Sequence, residues 1–340
     1  MTRREFLQVA CATALSAGSG ASRGIEPAAA QPVPPSTPSS SGPTRIGIAG
    51  DHFMINGTPR FLLGVSYFDA RNWKRSDIDA LATCGFNNIR IWMENGSGTF
   101  WKRWHLEPDG GLNDPVGLLQ LIRYCSAKGI TVEVTILDWE SNPLSTNPEL
   151  AIDNTVTLLK DEPNVFYDIC NEHTHGSRAY ASHTLMRSYR DRLKSIQQNQ
   201  VVTASGCCGH LMGPSDQAIG TDLSEDAVVA LLDFIGPHLP RTPDWSLKTG
   251  VRVKSVKRYL ASIDRSVPVF LQEEARRRHS GLNPSATEFL EAALKARDAG
   301  AGGWIFHTEA GFDLSGARSF FGNLDTEERL AVDGLGARIW

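Results

Sequence analysis

The chain has 340 residues, of which 41% are apolar and 21% charged, with a net charge of −4. That balance describes an ordinary soluble globular protein and excludes the strongly basic surface that nucleic-acid binding requires. A nearly neutral surface suits a neutral ligand.

The chain opens on Thr2-Arg3-Arg4-Glu5-Phe6-Leu7, where paired arginines precede the apolar stretch VACATALSAG and the small-residue run Ala28 to Ala30. Residues 1–30 read as a twin-arginine export signal, with a basic N-terminal tail as the competing reading. The apolar run is shorter than the ~20 residues that span a bilayer, so no stable membrane insertion is expected. A periplasmic or extracellular location follows from the signal. Residues 31–44 are a Pro/Ser-rich linker that cannot bury enough apolar surface to fold. Beyond the signal lie Cys84, Cys125, Cys170, Cys207 and Cys208. Their odd number and lack of CxxC spacing give neither a disulfide framework nor a zinc site. The first three sit in apolar patterns as small core residues.

From residue 45 to residue 340 strand-like and helix-like segments alternate. HFMINGTPR reads as a hairpin with an Asn-Gly turn, and RFLLGVSYF as the first buried strand. SDIDALATCG is a helix that Ser76 can cap and Gly85 ends. NNIRIWM is the second strand, and DPVGLLQLIRYCSAKG a helix with Asp114 as cap and Pro115 at its first position. ITVEVTILDW, NVFYDICNE, QVVTAS, LLDFIGPHL, VPVFLQE and AGGWIFHT supply strands three to eight. Helical stretches such as PELAIDNTVTLLKDEP, SVKRYLASID and SATEFLEAALKARDAG lie between them. Eight strands with interleaved amphipathic helices predict an α/β fold, a single (β/α)8 TIM barrel. An open doubly wound sheet is the alternative, but Gly64-Val65-Ser66-Tyr67 is not the glycine-rich phosphate turn that fold uses.

In such a barrel, chemistry sits at the carboxyl ends of the strands. Those ends carry Arg90 and Trp92, Asp138 and Trp139, Asn171 and Glu172, His238, Glu273, and Trp304 with His307. Two carboxylates on different strands are what glycoside hydrolysis needs. One protonates the leaving oxygen, and the other attacks the anomeric carbon or activates water. Glu172 is the candidate acid/base, with Asn171 beside it to hydrogen-bond a sugar hydroxyl. For the second carboxylate, Glu273 and Glu274 compete, since strand alternation points one of them inward; Glu274 could instead pair with Arg276, Arg277 and Arg278. Arg90 inside a strand needs a carboxylate partner, and Glu273 would serve. His238 stands where a hydroxyl ligand or a core histidine would stand. Trp92, Trp139 and Trp304 are candidate sugar platforms, each with core packing as the alternative.

These segments resemble the clan A glycoside hydrolases, especially the cellulase-like family 5 group. The resemblance rests on FLLGVSYF, NNIRIWM, NVFYDICNEH, DFIGPHLPR and PVFLQEE and spans most of residues 60–307. It implies an Asn-Glu on strand four and a nucleophilic Glu on strand seven. The register Pro268-Val269-Phe270-Leu271-Gln272-Glu273 then favours Glu273 over Glu274, while Arg90 and His238 map onto the family's strand-two arginine and strand-six histidine. The chain departs from the family on strand eight, where the aromatic register gives Trp304 and then His307 in place of the sugar-stacking Trp. The implied activity is a retaining β-glycosidase without cofactor or metal, acting as a monomer on an oligo- or polysaccharide. A transglycosylase on the same acids and a non-catalytic glycan-binding barrel are the alternatives. His307 is expected at the floor of the site, titrating near pH 6.5.

Overall fold

The computed structural model describes residues 42–93, 105–107, 109–138, 147–173, 183–206, 230–279 and 281–340. The signal segment, residues 31–41 of the linker, and Trp139, Cys207 and Cys208 lie outside those residues; Thr44, assigned to the linker, is instead buried, its amide donating to Ser126 Oγ (3.0 Å) and its hydroxyl to the Ser126 carbonyl (2.6 Å). The described residues belong to one compact unit, Ser36–Trp340.

The strands are β1 (Ile46–Ala49), β2 (His52–Ile55), β3 (Thr58–Pro59), β4 (Leu62–Ser66), β5 (Asn88–Trp92), β6 (Thr131–Asp138), β7 (Val165–Asn171), β8 (Val202–Thr203), β9 (Phe270–Leu271) and β10 (Gly303–Phe306). The helices are α1 (Arg75–Thr83), α2 (Pro115–Ala127), α3 (Pro148–Leu159), α4 (His183–Ile196), α5 (Trp245–Ser262), α6 (Ala286–Asp298), α7 (Phe320–Asn323) and α8 (Thr326–Ile339).

Strands β4 to β10 form one sheet in the order β8-β7-β6-β5-β4-β10-β9. Its edges, β8 and β9, are joined by the chain around Asp233 to His238. Gly206 bridges Pro237 on one side and Ile235 bridges Val269 on the other, both parallel. That segment takes the place of the sixth strand and closes a (β/α)8 barrel. It carries Gly236 and Pro237, and Pro has no N–H to donate, so it pairs through isolated bridges rather than a continuous ladder.

The hairpin forms as its Asn-Gly turn requires: Asn56 and Gly57 take φ of 52° and 76°, the two left-handed positions of a type I′ turn. It joins β2 to β3, and β1 adds a third strand. The hairpin drives Phe53 into one end of the barrel, with ring centroids 5.3, 5.6 and 5.8 Å from Phe234, Phe270 and Phe166. Leu62 and Ile305 complete this dry cluster. Removing the Phe53 ring would cost about 3–5 kcal/mol, because four rings interlock there. One glycine is sterically required nearby, since a Cβ on Gly64 would lie 2.7 Å from the Asn88 amide nitrogen.

The helices follow their local signals. Asp114 and Asn147 cap α2 and α3, each with a proline in the first turn. Capping boxes at Ser285/Glu288 and Asp325/Glu328 open α6 and α8. The start of α1 differs from expectation. Its cap position is Lys74, with no capping side chain, and Ser76 lies inside the first turn. The reason is tertiary. The Asp77 carboxylate accepts from the Tyr67 hydroxyl and the Phe320 amide, which anchors the helix start without a local cap. Cys125 and Cys170 are buried and Cys84 is half-buried. No helix among the described residues is long and apolar enough to cross a membrane.

Candidate active site

Opposite the phenylalanine plug, the barrel interior turns polar. Arg90 on β5 is fully buried and satisfied on every side. Its Nε donates to Thr135 Oγ1 (2.9 Å), Nη1 to Glu273 Oε1 (2.9 Å), and Nη2 to Asp168 Oδ2 (2.7 Å) and Asn171 Oδ1 (2.9 Å). Glu133 lies 3.7 Å from the same Nε. One guanidinium thus faces three buried carboxylates, more negative charge than it can balance. The imbalance resolves by protonation. Burial pushes the Glu133 carboxyl up to about 8, with Asp168 and Glu273 adding to the rise against the pull of Arg90. Glu133 accepts from the Gln272 amide, which fixes its orientation.

Glu172 follows the last residue of β7 and sits at φ +49°, in the left-handed region that a glutamate enters at a cost on the order of 1 kcal/mol. The Ser205 hydroxyl accepts from its amide at 3.1 Å and secures the turn. Its Oε1 lies 2.9 Å from His238 Nδ1. That nitrogen is also 3.7 Å from Glu273 Oε2. A carboxylate oxygen of Glu172, a ring nitrogen of His238 and a carboxylate oxygen of Glu273 all lie within 4.8 Å of one another. Such a set could hold a metal ion by donor type, but Arg90 and Arg241 already occupy the Glu273 carboxylate.

Glu273 and Glu274 diverge. Glu274 points to the helix layer, where it accepts from Trp304 Nε1 (2.5 Å) and Thr249 Oγ1 (3.1 Å). Burial raises its carboxyl to about 7. It makes no pair with the neighbouring arginines, which bind elsewhere: Arg276 to Glu309, Arg277 to Asp325 and Arg278 to Glu328. Glu273 faces the barrel mouth. Burial opposes its charge, but His238, His307, Arg90 and Arg241 hold it well below the usual carboxylate range. Of these, the two arginines carry their charge at any working pH.

His307 is 1% exposed and bonded at both nitrogens. Arg276 Nη1 donates to its Nε2 at 2.9 Å, so Nδ1 carries the proton and donates to Ser66 Oγ at 2.7 Å. Burial, with Arg276 and Arg241 adding to it, keeps the ring well below the ordinary imidazole range. His307 is therefore neutral, and the expected titration near pH 6.5 is corrected.

Two candidate platforms are also corrected. Trp304 is fully buried on the helix side, its indole N–H committed to Glu274. Trp92 is 2% exposed; Phe68 stacks on it at 3.9 Å and 13°, and the Arg90 guanidinium lies 4.5 Å over its ring. Neither offers an open face to a sugar. Asn171 has its oxygen on Arg90 and its amide nitrogen 3.3 Å from Asp138 Oδ1. The structure thus brings Arg90, Asn171, Glu172, His238, Glu273 and His307 together.

Four contributors were not singled out in the sequence. Arg241, three residues past His238, places Nη2 3.1 Å from Glu273 Oε2. Glu133, Asp168 and Gln272 form the layer beneath Arg90. The signal for Glu133 and Asp168 was present: a charged residue inside an otherwise apolar strand, like Arg90.

No protein-family model and no curated protein sequence matches this chain. Solved structures do. The endo-1,4-β-mannanase of Rhizomucor miehei superposes with a TM-score of 0.59 at 16% identity, covering 87% of this chain and 99% of its own. A β-glucanase of Saccharophagus degradans, solved with cellotetraose, gives 0.59 and 16% over 87% and 94%. The β-mannanase of the blue mussel Mytilus edulis gives 0.59 and 14% over 87% and 97%. The likeness establishes the fold. This chain has the (β/α)8 barrel of those β-glycanases along nearly their whole length.

Proposed function

We propose that the protein is a retaining glycosidase that cleaves β-glycosidic bonds in an oligo- or polysaccharide as a monomer, with Glu172 as acid/base and Glu273 as nucleophile. The observation that carries this reading is the pair itself: carboxylate oxygens within 4.8 Å of each other at the barrel mouth, one of them held by two arginines. A separation of ~5 Å leaves no room for a water between the groups, which favours direct attack.

The chemistry runs in two steps. Oε2 of Glu273 lies on the Glu172 side, as its approach to His238 shows, while Oε1 is held by Arg90. Oε2 attacks C1, the bond from C1 to the leaving oxygen breaks, and the Glu172 proton goes to that oxygen. Water then adds to C1, its proton returns to Glu172, and the ester bond to Glu273 breaks. Asn171 would bind the 2-hydroxyl through its amide, an interaction that strengthens in the transition state. The β-mannanases and β-glucanase of the same fold make mannans and glucans the first substrates to try. Reducing-sugar release from β-mannan, mixed β-glucan, cello-oligosaccharides and xylan tests the reading. Release from at least one, lost in Glu172→Gln, supports it. Binding without release from any would favour the glycan-binding barrel.

A further inference from the structure

Arg90 and Arg241 both hold Glu273, but they are themselves held differently. Arg90 is fully buried and bonded to Thr135, Glu273, Asp168 and Asn171, so it stays on Glu273 Oε1. Arg241 has its side chain 18% exposed, and among the described residues its one ion pair is with Glu273 Oε2, at 3.1 Å. A long side chain with a single anchor can turn where Arg90 cannot.

The charge that Arg241 holds moves during the reaction. In the first step, Glu273 Oε2 bonds to C1, the bond from C1 to the leaving oxygen breaks, and that oxygen takes the Glu172 proton. Glu273 ends as a neutral ester and Glu172 as a carboxylate, so one negative charge passes from the first to the second. The transfer is short. Carboxylate oxygens of the two residues lie within 4.8 Å of each other, and His238 Nδ1 stands between them, 2.9 Å from Glu172 Oε1 and 3.7 Å from Glu273 Oε2. The neighbouring arginine is not placed to follow the charge. Arg276 uses its three nitrogens on Glu309 Oε1 (3.2 Å), His307 Nε2 (2.9 Å) and His279 Nδ1 (3.1 Å).

We infer that Arg241 changes partners within each turnover, leaving Glu273 Oε2 for the Glu172 carboxylate as the ester forms. A cation beside Glu172 favours its charged form, which the second step needs to take a proton from water. When water adds to C1 and the ester breaks, Glu172 regains a proton, Oε2 regains its charge, and Arg241 returns to it. Arg241 is thus a positioning residue that serves the base in one step and the nucleophile in the other. The inference rests on the glycosidase reading of the same site.

The test uses the 2,4-dinitrophenyl β-glycoside of whichever sugar the glycan panel shows to be cleaved. Its leaving group needs no proton, so a burst of dinitrophenolate reports the first step and the steady rate reports the second. Arg241→Met should keep the burst and lower the steady rate by at least ten-fold, and Arg241→Lys should restore most of it. Azide attacks C1 without a base and is repelled by an ionised Glu172. It should therefore speed Arg241→Met at least several-fold, yielding the β-glycosyl azide, and leave the parent unchanged. A steady rate within two-fold of the parent, or a loss that falls on the burst, overturns the inference and leaves the glycosidase reading intact. A slowed second step that azide does not relieve also overturns it, because Arg241 would then act on the departure of Glu273 alone. A parent that cleaves no glycan of the panel overturns both.

Discussion

Arg90 Nη1 meets Glu273 Oε1 at 2.9 Å, although the two residues are 183 positions apart in the chain. The contact is buried on both sides, and the same guanidinium holds Asp168 and Asn171. It links the barrel's structural interior to its reactive mouth. Arg90→Ala would strip the buried Asp168 of its cation and leave Glu273 with Arg241 alone, and should destabilise the fold by about 3–5 kcal/mol. Urea denaturation would show it as a lowered midpoint at unchanged slope.

Glu172→Gln and Glu273→Gln should each lower kcat by roughly 10³-fold or more. Both side chains lie at the mouth rather than in the packed layers, so the melting temperature should move by only a few degrees. Glu274→Gln should leave kcat within several-fold of the parent, because its partners are Trp304 and Thr249 on the far side of the sheet. Turnover lost in Glu274→Gln and kept in Glu273→Gln would reverse the assignment.

Glu274 instead governs stability against pH. Burial raises its folded carboxyl to about 7 from the ordinary 4.5. The folded state therefore binds a proton that the unfolded state releases between those values. Its stabilising contribution is full below the unfolded value and is lost as pH rises toward 7, about 3 kcal/mol in all. Glu274→Gln keeps an acceptor for Trp304 and cannot ionise, so it should flatten the fall in stability between about pH 4.5 and 7. Denaturation at several pH values checks the slope.

Much of this was legible in the sequence, and the errors have physical causes. The eight strand positions could be read because apolar, β-branched runs recur between helical periods. Even the sixth, LLDFIGPHL, pairs on both sides despite its irregular backbone. Trp304 was misread by counting register instead of parity. Residues three apart on a strand face opposite sides, so His307 at the mouth puts Trp304 among the helices. Arg241 escaped notice because a charged residue just past a strand looks like a solvated one. Only the approach of Glu273 from another strand gives it a role. The C-terminal helix was overlooked too, although Asp325 and Glu328 form a capping box in plain view.

His307 yields a further prediction. A neutral ring bonded at both nitrogens should add no limb near pH 6.5 to the pH–rate profile. His307→Trp should not create a sugar platform. The larger ring has no room between Ser66 and Arg276, and the variant should lose about 1–3 kcal/mol of stability by overpacking. A well-folded variant with improved turnover of glucans would contradict this placement.

Export remains a proposal from Arg3 and Arg4, which precede the described residues. Replacing both with lysine should hold precursor in the cytoplasm, since the twin-arginine route reads the paired guanidiniums rather than charge alone. Unchanged export of that variant in a cell-fractionation assay would favour the general secretory route.

The central claim is that Glu273 attacks the sugar directly while Glu172 serves first as acid and then as base. Proton NMR of the first product formed, recorded before mutarotation, tests it most directly. The account predicts a β-anomer released from the β-linked substrate, the signature of two successive displacements. An α-anomer as the first product would mean that water attacks in one step, and would contradict the nucleophilic role of Glu273.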